Sequence, residues 1–191
     1  MSKKGVDEIV VLLDTSGSMA DQVKDVQGAF ASFVKDQRSV PDRTATLTLW
    51  TFNSPGRLKA FWENLDLDKV GVLELKPSGN TALLDAVCET IDLTGERLSR
   101  LSEESRPEKV IFLIITDGEE NSSTKFSRAD VLRRIEHQQS AYKWIFHFVG
   151  PDPKLFQEQI PVAQTQVYKG GQHTNSTYMA TSGSIRSSRI R

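Results

Sequence analysis

The sequence has little of what marks disulfide-rich, membrane-spanning or nucleic-acid-binding proteins. It contains one cysteine, Cys88, so no internal disulfide can form and no oxidising compartment is indicated. No apolar run approaches the roughly 20 residues that span a bilayer, and the opening MSKKGVDEIV lacks the apolar stretch of a secretory signal. The formal net charge of −1 gives no strong field for nucleic acid or an anionic membrane. We therefore expect a cytoplasmic protein that binds neither.

The composition that is present is that of a globular domain. The chain has 191 residues, of which 38% are hydrophobic and 26% are charged, enough to bury the core of one domain. Residues 170–191 differ, because they are rich in Gly, Ser, Thr and Arg. We predict a folded domain over residues 1–169 and a loosely held, solvated tail over residues 170–191, with Gly170 and Gly171 at the boundary.

Apolar patterns predict strands that alternate with helices. Buried strands are predicted over residues 8–13, 44–52, 109–116 and 142–149. The first and third are nearly continuous runs of Ile, Val and Leu, which is typical of parallel strands covered on both faces. The turn signal NSPG after the second strand predicts a returning antiparallel strand in RLKAFW, residues 57–62.

Helical spacing of apolar residues predicts the connections between these strands. Helices are predicted over residues 20–37, 81–101 and 127–139, with a fourth short helix near Pro153. Strands that alternate with helices form βαβ units. The chain is therefore predicted to have an α/β fold, with an open, mainly parallel sheet and helices on both faces.

Oxygen-bearing residues follow the predicted strands, at the edge where open α/β sheets bind ligands. Asp14, Ser16 and Ser18 come directly after the first strand in the spacing D-x-S-x-S. One charged and two neutral oxygen ligands suit hard cations such as Mg²⁺, Mn²⁺ or Ca²⁺. Thr81 in PSGNTALLDA and Asp117 in TDGEEN add oxygens from two other loops. So few carboxylates would leave the cation able to accept a carboxylate from another molecule.

Each of these residues also has a simpler structural interpretation. Ser18 begins a pattern like a capping box, which would only cap the first helix. Thr81 would likewise cap the helix that follows it, and Asp117 before Gly118 is also typical of a plain turn. From the residues alone these interpretations remain open, although the joint occurrence at three loops favours a common site.

Three segments, DTSGSM, GNTALLDAV and IITDGEEN, together resemble the von Willebrand factor A domain with its metal-ion-dependent adhesion site. The resemblance implies that Asp14, Ser16 and Ser18 form the first metal loop. It also implies that Thr81 is the threonine of the second loop and Asp117 the aspartate of the third. In this family Mg²⁺ is the usual ion, and a Glu or Asp of a partner protein often completes its coordination.

The resemblance extends over about residues 7–168 and also implies an arrangement of the sheet. The fold would be Rossmann-like, with the strand order 3-2-1-4-5, the returning strand as an antiparallel edge, and space for a sixth strand near residues 166–168. Glu119, Glu120 and Asn121, which follow the metal aspartate, would then rim the site.

The function that the resemblance implies is a divalent-metal-dependent protein-binding module without enzymatic activity. The compact form resembles prokaryotic and phage adaptors that work beside AAA+ ATPases or in other complexes. We therefore expect a protein partner that presents an Asp or Glu, such as an AAA+ ATPase or another complex component. The alternative within this class is a scaffold or assembly protein whose metal site is purely structural.

Enzyme classes have weaker support in the sequence. A haloacid-dehalogenase-like phosphatase also carries an aspartate after its first parallel strand, but needs a second aspartate as general acid where this chain has Ser16. The G-x-S-x-G elbow, the P-loop and G-x-G-x-x-G are absent from the sequence. His137, His147 and His173 show no metal spacing, and His147 is expected to be a solvent-facing or hydrogen-bonded structural residue.

Overall fold

Strands and helices alternate through the part of the chain that the structure, a computed structural model, describes: residues 3–117, 120–150, 164–167 and 175–190. The strands are β1 (Lys3–Asp14), β2 (Thr44–Phe52), β3 (Lys59–Asp66), β4 (Pro107–Ile115), β5 (Ile145–Gly150) and β6 (Gln164–Val167). The helices are α1 (Val23–Arg38), α2 (Leu83–Ser99), α3 (Arg128–Tyr142) and α4 (Asn175–Ile190).

The strands form one sheet in the order β3-β2-β1-β4-β5-β6. The central strand β1 is parallel to both β2 and β4, whereas β3 is antiparallel to β2 and forms one edge. The predicted Rossmann-like α/β class and the order 3-2-1-4-5 with an antiparallel edge are therefore confirmed. The sixth strand lies at Gln164–Val167, parallel to β5.

Two apolar layers cover the two faces of this sheet. Ile9, Val11 and Leu13 of β1 belong to the layer beneath α1 and α4, whereas Val10 and Leu12 belong to the layer beneath α2 and α3. All five are buried, and burying each such side chain contributes about 1.5–3 kcal/mol. The continuous apolar run in the sequence is thus explained by a strand covered on both faces, and it fixes the position of the loop that follows.

The ends of several elements differ from the predictions. Helix α1 begins at Val23, because Gly17–Gln22 form a separate 3-10 helix. Strand β1 begins earlier than predicted, at Lys3, which pairs with the first residue of β4. The fourth helix predicted near Pro153 and the boundary at Gly170 lie outside the described residues. Of the helices described, none is long and apolar enough to cross a membrane.

The C-terminal segment corrects the prediction of a solvated tail. Helix α4 (Asn175–Ile190) packs against α1, β5 and β6. Ile185 and Arg189 are fully buried. Arg189 Nε donates to an oxygen of Asp7 at 2.8 Å, although the two residues are far apart in sequence. The prediction failed because it rested on the many small polar residues of this segment, which are typical of a solvated chain. A few other residues, including Ile185 and Arg189, are enough to pack the helix against the domain.

His147 on β5 also differs from its prediction. Its side chain is buried, and neither ring nitrogen has a hydrogen-bond partner in the part of the chain that the structure describes. Burial lowers the pKa of His147 to about 4. The expectation of a solvent-facing histidine is therefore wrong, and the alternative of a hydrogen-bonded histidine finds no partner among the described residues.

Candidate metal centre

Two carboxylates lie at the edge of the sheet where β1 and β4 end. Asp14 is the last residue of β1, and Asp117 follows β4 closely. Because β1 and β4 are parallel neighbours, with Leu13 opposite Ile115, the two loops leave the sheet side by side. Asp14 is fully buried, whereas Asp117 is half-buried.

A chain of hydrogen bonds joins four of the five residues that the sequence predicts. The Ser16 backbone N–H donates to Asp14 Oδ1 at 2.7 Å. The hydroxyls of Ser16 and Ser18 are 3.0 Å apart, and Ser18 Oγ donates to Asp117 Oδ1 at 2.8 Å. The structure thus brings the first and third predicted loops into direct side-chain contact.

Thr81, the fifth predicted residue, reaches this cluster through its loop. The Gly17 N–H donates to the Gly79 carbonyl at 3.0 Å, and Thr81 itself is buried. Its backbone N–H donates to Asn121 Oδ1 at 3.0 Å. The Thr81 loop therefore contacts the first loop. Within the described residues, however, Thr81 makes no direct hydrogen bond to Asp14, to Asp117 or to the two serines.

Gly79 explains how the Thr81 loop can lie so close to its neighbours. Its φ is +77°, in the left-handed region that glycine adopts without steric cost. A Cβ at this position would lie 2.5 Å from Ser54 Oγ. That oxygen accepts a hydrogen bond from the Asn80 N–H at 3.1 Å. The glycine is therefore needed both for the turn and for the close approach of the loop after β2.

The helix-capping interpretations of Ser18 and Thr81 are wrong. The Ser18 hydroxyl contacts Ser16 and Asp117, and α1 begins only at Val23. The N-cap of α2 is Ala82, not Thr81, and no side chain of that residue caps the helix. The plain-turn interpretation of Asp117 involves Gly118, which lies outside the described residues.

Two of the residues predicted to rim the site, Glu120 and Asn121, accept hydrogen bonds from backbone N–H groups beside it. Glu120 Oε2 accepts a hydrogen bond from the Leu84 N–H at 2.9 Å, so it satisfies an open backbone donor at the start of α2. Asn121 Oδ1 accepts a hydrogen bond from the Thr81 N–H. The two side chains therefore hold the third loop against the Thr81 loop and the start of α2, and their role at the rim of the site stays a prediction. Glu119 lies outside the described residues.

Two further side chains contact the carboxylates and were not predicted as site residues. Thr116 Oγ1 donates to Asp14 Oδ2 at 2.6 Å, and Gln22 Nε2 donates to Asp117 Oδ2 at 3.1 Å. The sequence contains a signal for Thr116, because this hydroxyl-bearing residue ends the predicted strand directly before Asp117. Gln22 had none, because its contact depends on the 3-10 helix that the sequence did not reveal.

The electrostatics of Asp14 are unusual for a fully buried carboxylate. Its hydrogen-bond partners are a hydroxyl and a backbone N–H, and no Lys, Arg or His among the described residues forms an ion pair with it. Burial raises the pKa of Asp14 to about 6, with a further contribution from the nearby Asp117, while the bonds from Thr116 and Ser16 oppose the rise. Burial also raises the pKa of Asp117.

A divalent cation fits this donor set. Two carboxylates with raised pKa values would be stabilised in their charged form by a cation between them. Within the described residues there is no cluster of three or more His, Cys, Asp or Glu side chains placed to hold a metal. The available donors are instead two carboxylates and three hydroxyls, an all-oxygen set that suits Mg²⁺, Mn²⁺ or Ca²⁺ rather than a soft metal.

Comparison with known proteins identifies the fold. No protein-family model and no curated protein matches the sequence. Among solved structures, a von Willebrand factor type A protein from Catenulispora acidiphila is 17% identical, with a TM-score of 0.59 over 98% of this chain and 43% of that one. The pilus adhesin SpaC from Lactobacillus rhamnosus GG is 13% identical, with a TM-score of 0.66 over 98% of this chain and 30% of that one.

A third similar structure is a manganese-loaded protein. It is the TRAP protein of Plasmodium vivax, 15% identical, with a TM-score of 0.50 over 76% of this chain and 57% of that one. The chain thus has the fold of von Willebrand factor A domains, as the sequence motifs predicted. It spans less than two thirds of the length of each of these structures.

Proposed function

We propose that this chain is a divalent-metal-dependent protein-binding module with no catalytic activity. Asp14 and Asp117 would supply the charge for the cation, and Ser16, Ser18 and Thr81 would supply neutral oxygens. Mg²⁺ is the proposed ion, with Mn²⁺ or Ca²⁺ as substitutes. The observation that carries the proposal is the Asp14 carboxylate, which is fully buried and, among the residues that the structure describes, accepts hydrogen bonds only from neutral donors.

The proposed partner is a protein that presents an exposed Asp or Glu, such as an AAA+ ATPase or another component of a complex. A divalent cation bound by so few anionic groups supplies an electrophilic centre that accepts a carboxylate oxygen. Two similar structures support this proposal, since one is loaded with manganese and the other is an adhesin. A phosphatase of the haloacid-dehalogenase type is disfavoured, because Ser16 stands where that mechanism needs a carboxyl group.

The first experiment measures metal binding by isothermal titration calorimetry with Mg²⁺ and Mn²⁺. We expect the wild type to bind and the variants Asp14→Ala and Asp14→Asn not to bind. A matched control is Asp68→Asn, which removes the same charge from a side chain that is 92% exposed, beyond β3. Metal binding that survives both Asp14 substitutions would contradict the proposed ligand set.

The second experiment tests the partner. Proteins captured from the native host in Mg²⁺ should be released by EDTA, and Asp14→Asn should capture none of them while Asp68→Asn captures them normally. Capture that ignores both EDTA and Asp14→Asn would contradict a metal-dependent interface. Stabilisation by Mg²⁺ with no EDTA-sensitive partner would favour the structural scaffold instead, and turnover of p-nitrophenyl phosphate would favour the phosphatase.

A further inference from the structure

Gln22 lies at the junction between the first metal loop and α1. It is the last residue of the 3-10 helix Gly17–Gln22 and directly precedes α1. A residue at this position often caps the helix with its side chain, but the Gln22 side chain makes no such hydrogen bond. Its amide Nε2 donates instead to Asp117 Oδ2 at 3.1 Å. The side chain therefore contacts the third loop of the metal centre and does not cap the helix that it precedes.

The 3-10 helix determines the direction of the Gln22 side chain. A 3-10 helix has three residues per turn, so side chains three positions apart lie on the same face. Gln22 follows Met19 by three positions, and Met19 is buried in the apolar layer beneath α1. This face therefore points into the domain, where the half-buried Gln22 reaches the end of β4. Because an ionised carboxylate only accepts hydrogen bonds, the nitrogen of the amide must face Asp117.

The carboxylate of Asp117 is held at both of its oxygens. Oδ1 accepts a hydrogen bond from the Ser18 hydroxyl at 2.8 Å, and Oδ2 accepts one from Gln22. Ser18 is exposed and belongs to the proposed ligand set, whereas Gln22 does not. The hydrogen bond from Gln22 therefore fixes the rotation of the carboxylate, so that Oδ1 stays beside the proposed ligands.

The carboxylate of Asp14 is held in a similar way. Its Oδ1 accepts from the Ser16 N–H at 2.7 Å, and its Oδ2 accepts from the Thr116 hydroxyl at 2.6 Å. In both carboxylates, one oxygen is bonded to a residue of the first metal loop and the other to a residue outside the proposed ligand set. A cation that left these outer hydrogen bonds intact would therefore be bound by one oxygen of each carboxylate.

Mg²⁺ and Ca²⁺ differ in how they use a carboxylate. Mg²⁺ requires near-ideal octahedral geometry, which the narrow spacing of two oxygens on one carboxylate distorts. Ca²⁺ accepts about 6–8 oxygens in flexible geometry and often takes both oxygens of one carboxylate. To bind Ca²⁺ in that way, Asp117 would have to release the Gln22 amide and leave a half-buried N–H without its acceptor, which is costly. The intact hydrogen bond therefore favours Mg²⁺.

We propose that Gln22 is a positioning residue of the metal centre, whose amide holds Asp117 as a one-oxygen ligand and so makes the site prefer Mg²⁺ to Ca²⁺. This inference rests on the proposed metal-dependent function, in which Asp117 is a ligand. It goes beyond that function because Gln22 contributes no atom to the cation and acts through Asp117. A residue outside the ligand set then determines in part which cation is bound.

The test measures the dissociation constants of Mg²⁺ and Ca²⁺ by isothermal titration calorimetry in the wild type, Gln22→Leu and Gln22→Glu. Gln22→Leu removes the donor, so Mg²⁺ binding should weaken roughly tenfold, as for other residues that orient metal ligands. Ca²⁺ binding should change less than about threefold, because the released Oδ2 becomes available to it. Gln22→Glu adds a carboxylate beside the site and should shift the preference further toward Ca²⁺.

Gln27→Leu is the matched control for Gln22→Leu. Gln27 is also half-buried, and its Nε2 donates to the Leu73 carbonyl at 2.7 Å, a hydrogen bond that involves no proposed ligand. Both cation affinities should therefore keep their wild-type values in this variant. Circular dichroism checks that each variant is folded before the titrations.

The outcomes distinguish this inference from the function on which it rests. A loss of Mg²⁺ preference in Gln22→Leu that is absent from Gln27→Leu would support the role of Gln22. A wild type that binds neither cation would overturn the proposed function and this inference together. If the wild type binds Mg²⁺ and Asp14→Asn does not, but Gln22→Leu leaves both affinities unchanged or weakens both by the same factor, the role of Gln22 alone is overturned.

Discussion

Strand β1 contains two buried aspartates, Asp7 in its first half and Asp14 at its end. The hydrogen-bond partners of the two carboxylates differ in charge. Asp7 accepts hydrogen bonds from two arginines, Arg43 and Arg189, at 3.0 Å and 2.8 Å. Within the described part of the chain, Asp14 accepts hydrogen bonds only from neutral groups, among them the Thr116 hydroxyl and the Ser16 N–H. Both aspartates are fully buried, and a buried charge without a partner is costly.

The difference separates a structural end of the sheet from the end where the metal centre is proposed, which are called below the structural end and the functional end. At the Asp7 end the chain supplies its own cations, and one of them, Arg189, comes from α4 and so ties the C-terminal helix to the central strand. At the Asp14 end no Lys, Arg or His among the described residues pairs with the carboxylate, and under the proposed function a bound metal ion supplies the cation. The same residue type, on the same strand and equally buried, is therefore paired with arginines at one position and, in the proposed function, would be paired with a metal ion at the other.

The largest expected effect comes from breaking the structural end. Arg189→Met leaves Asp7 without one of its two arginines and should lower the free energy of unfolding by roughly 3–5 kcal/mol, as for other broken buried ion pairs. The measurement is urea denaturation followed by circular dichroism. Arg133→Met, which removes an arginine whose side chain is 72% exposed, is the control and should change stability by less than about 1 kcal/mol. A similar small loss in Arg189→Met would contradict the role given to this residue.

The next effect is a gain in stability from a substitution at the functional end. In EDTA at pH 7, Asp14→Asn should raise stability, because the folded state holds Asp14 with its pKa raised from 3.8 to about 6. Such a shift corresponds to roughly 2–3 kcal/mol, and the Asn side chain can still accept from the Ser16 N–H and donate to Thr116. Asp7→Asn, the matched substitution, should destabilise the fold. If both substitutions destabilise the metal-free protein equally, the contrast between the two ends fails.

The pH dependence of the metal-free protein follows from the same shift. Because the pKa of Asp14 is raised on folding, its contribution to stability is greatest below pH 3.8 and is lost as the pH rises through about 6. Conversely, Mg²⁺ affinity should fall as the pH drops below about 6, since the ion must displace a proton. Calorimetric Mg²⁺ titrations between pH 5 and pH 8 check this expectation. An affinity that stays constant over that range would argue against Asp14 as a ligand.

The smallest expected effect concerns the loop that carries Thr81. Gly79→Ala should cost roughly 1–3 kcal/mol and weaken Mg²⁺ binding, because the new Cβ would clash with Ser54 and shift the loop. Gly56→Ala is a close control, since Gly56 also has a positive φ, +69°, but no atom lies within 4 Å of its Cβ position. The difference between the two variants isolates the clash. Equal stability and equal Mg²⁺ affinity in the two would show that the close approach at Gly79 is unimportant.

The arrangement of the residues at the functional end was predictable from the sequence, because its signals are local. A buried strand followed at once by Asp14, Ser16 and Ser18 fixes where three oxygens leave the sheet, and parallel neighbours bring Asp117 beside them. The contact of Gln22 with Asp117 could not be foreseen, since it depends on a 3-10 helix whose residues lack a distinct pattern.

The structural end was not predictable, because its contacts join distant parts of the chain. Arg189 meets Asp7 across nearly the whole sequence, and the segment around it has the composition of a solvated tail. His147 shows the same limit, since neither its burial nor its lack of partners among the described residues follows from an alternating strand pattern. Contacts between distant parts of the chain determine the surroundings of Arg189 and His147. The local spacing of apolar residues in one sequence does not reveal such contacts.

The most direct test of the proposed metal centre compares thermal unfolding of the wild type and Asp14→Asn, each in EDTA and in excess Mg²⁺. We predict that Asp14→Asn melts above the wild type in EDTA and does not respond to Mg²⁺, while the wild type gains stability by mass action, about 2.7 kcal/mol at a hundredfold excess over Kd. The proposed metal centre would be contradicted if Asp14→Asn melts below the wild type in EDTA and Mg²⁺ still stabilises it as much as the wild type.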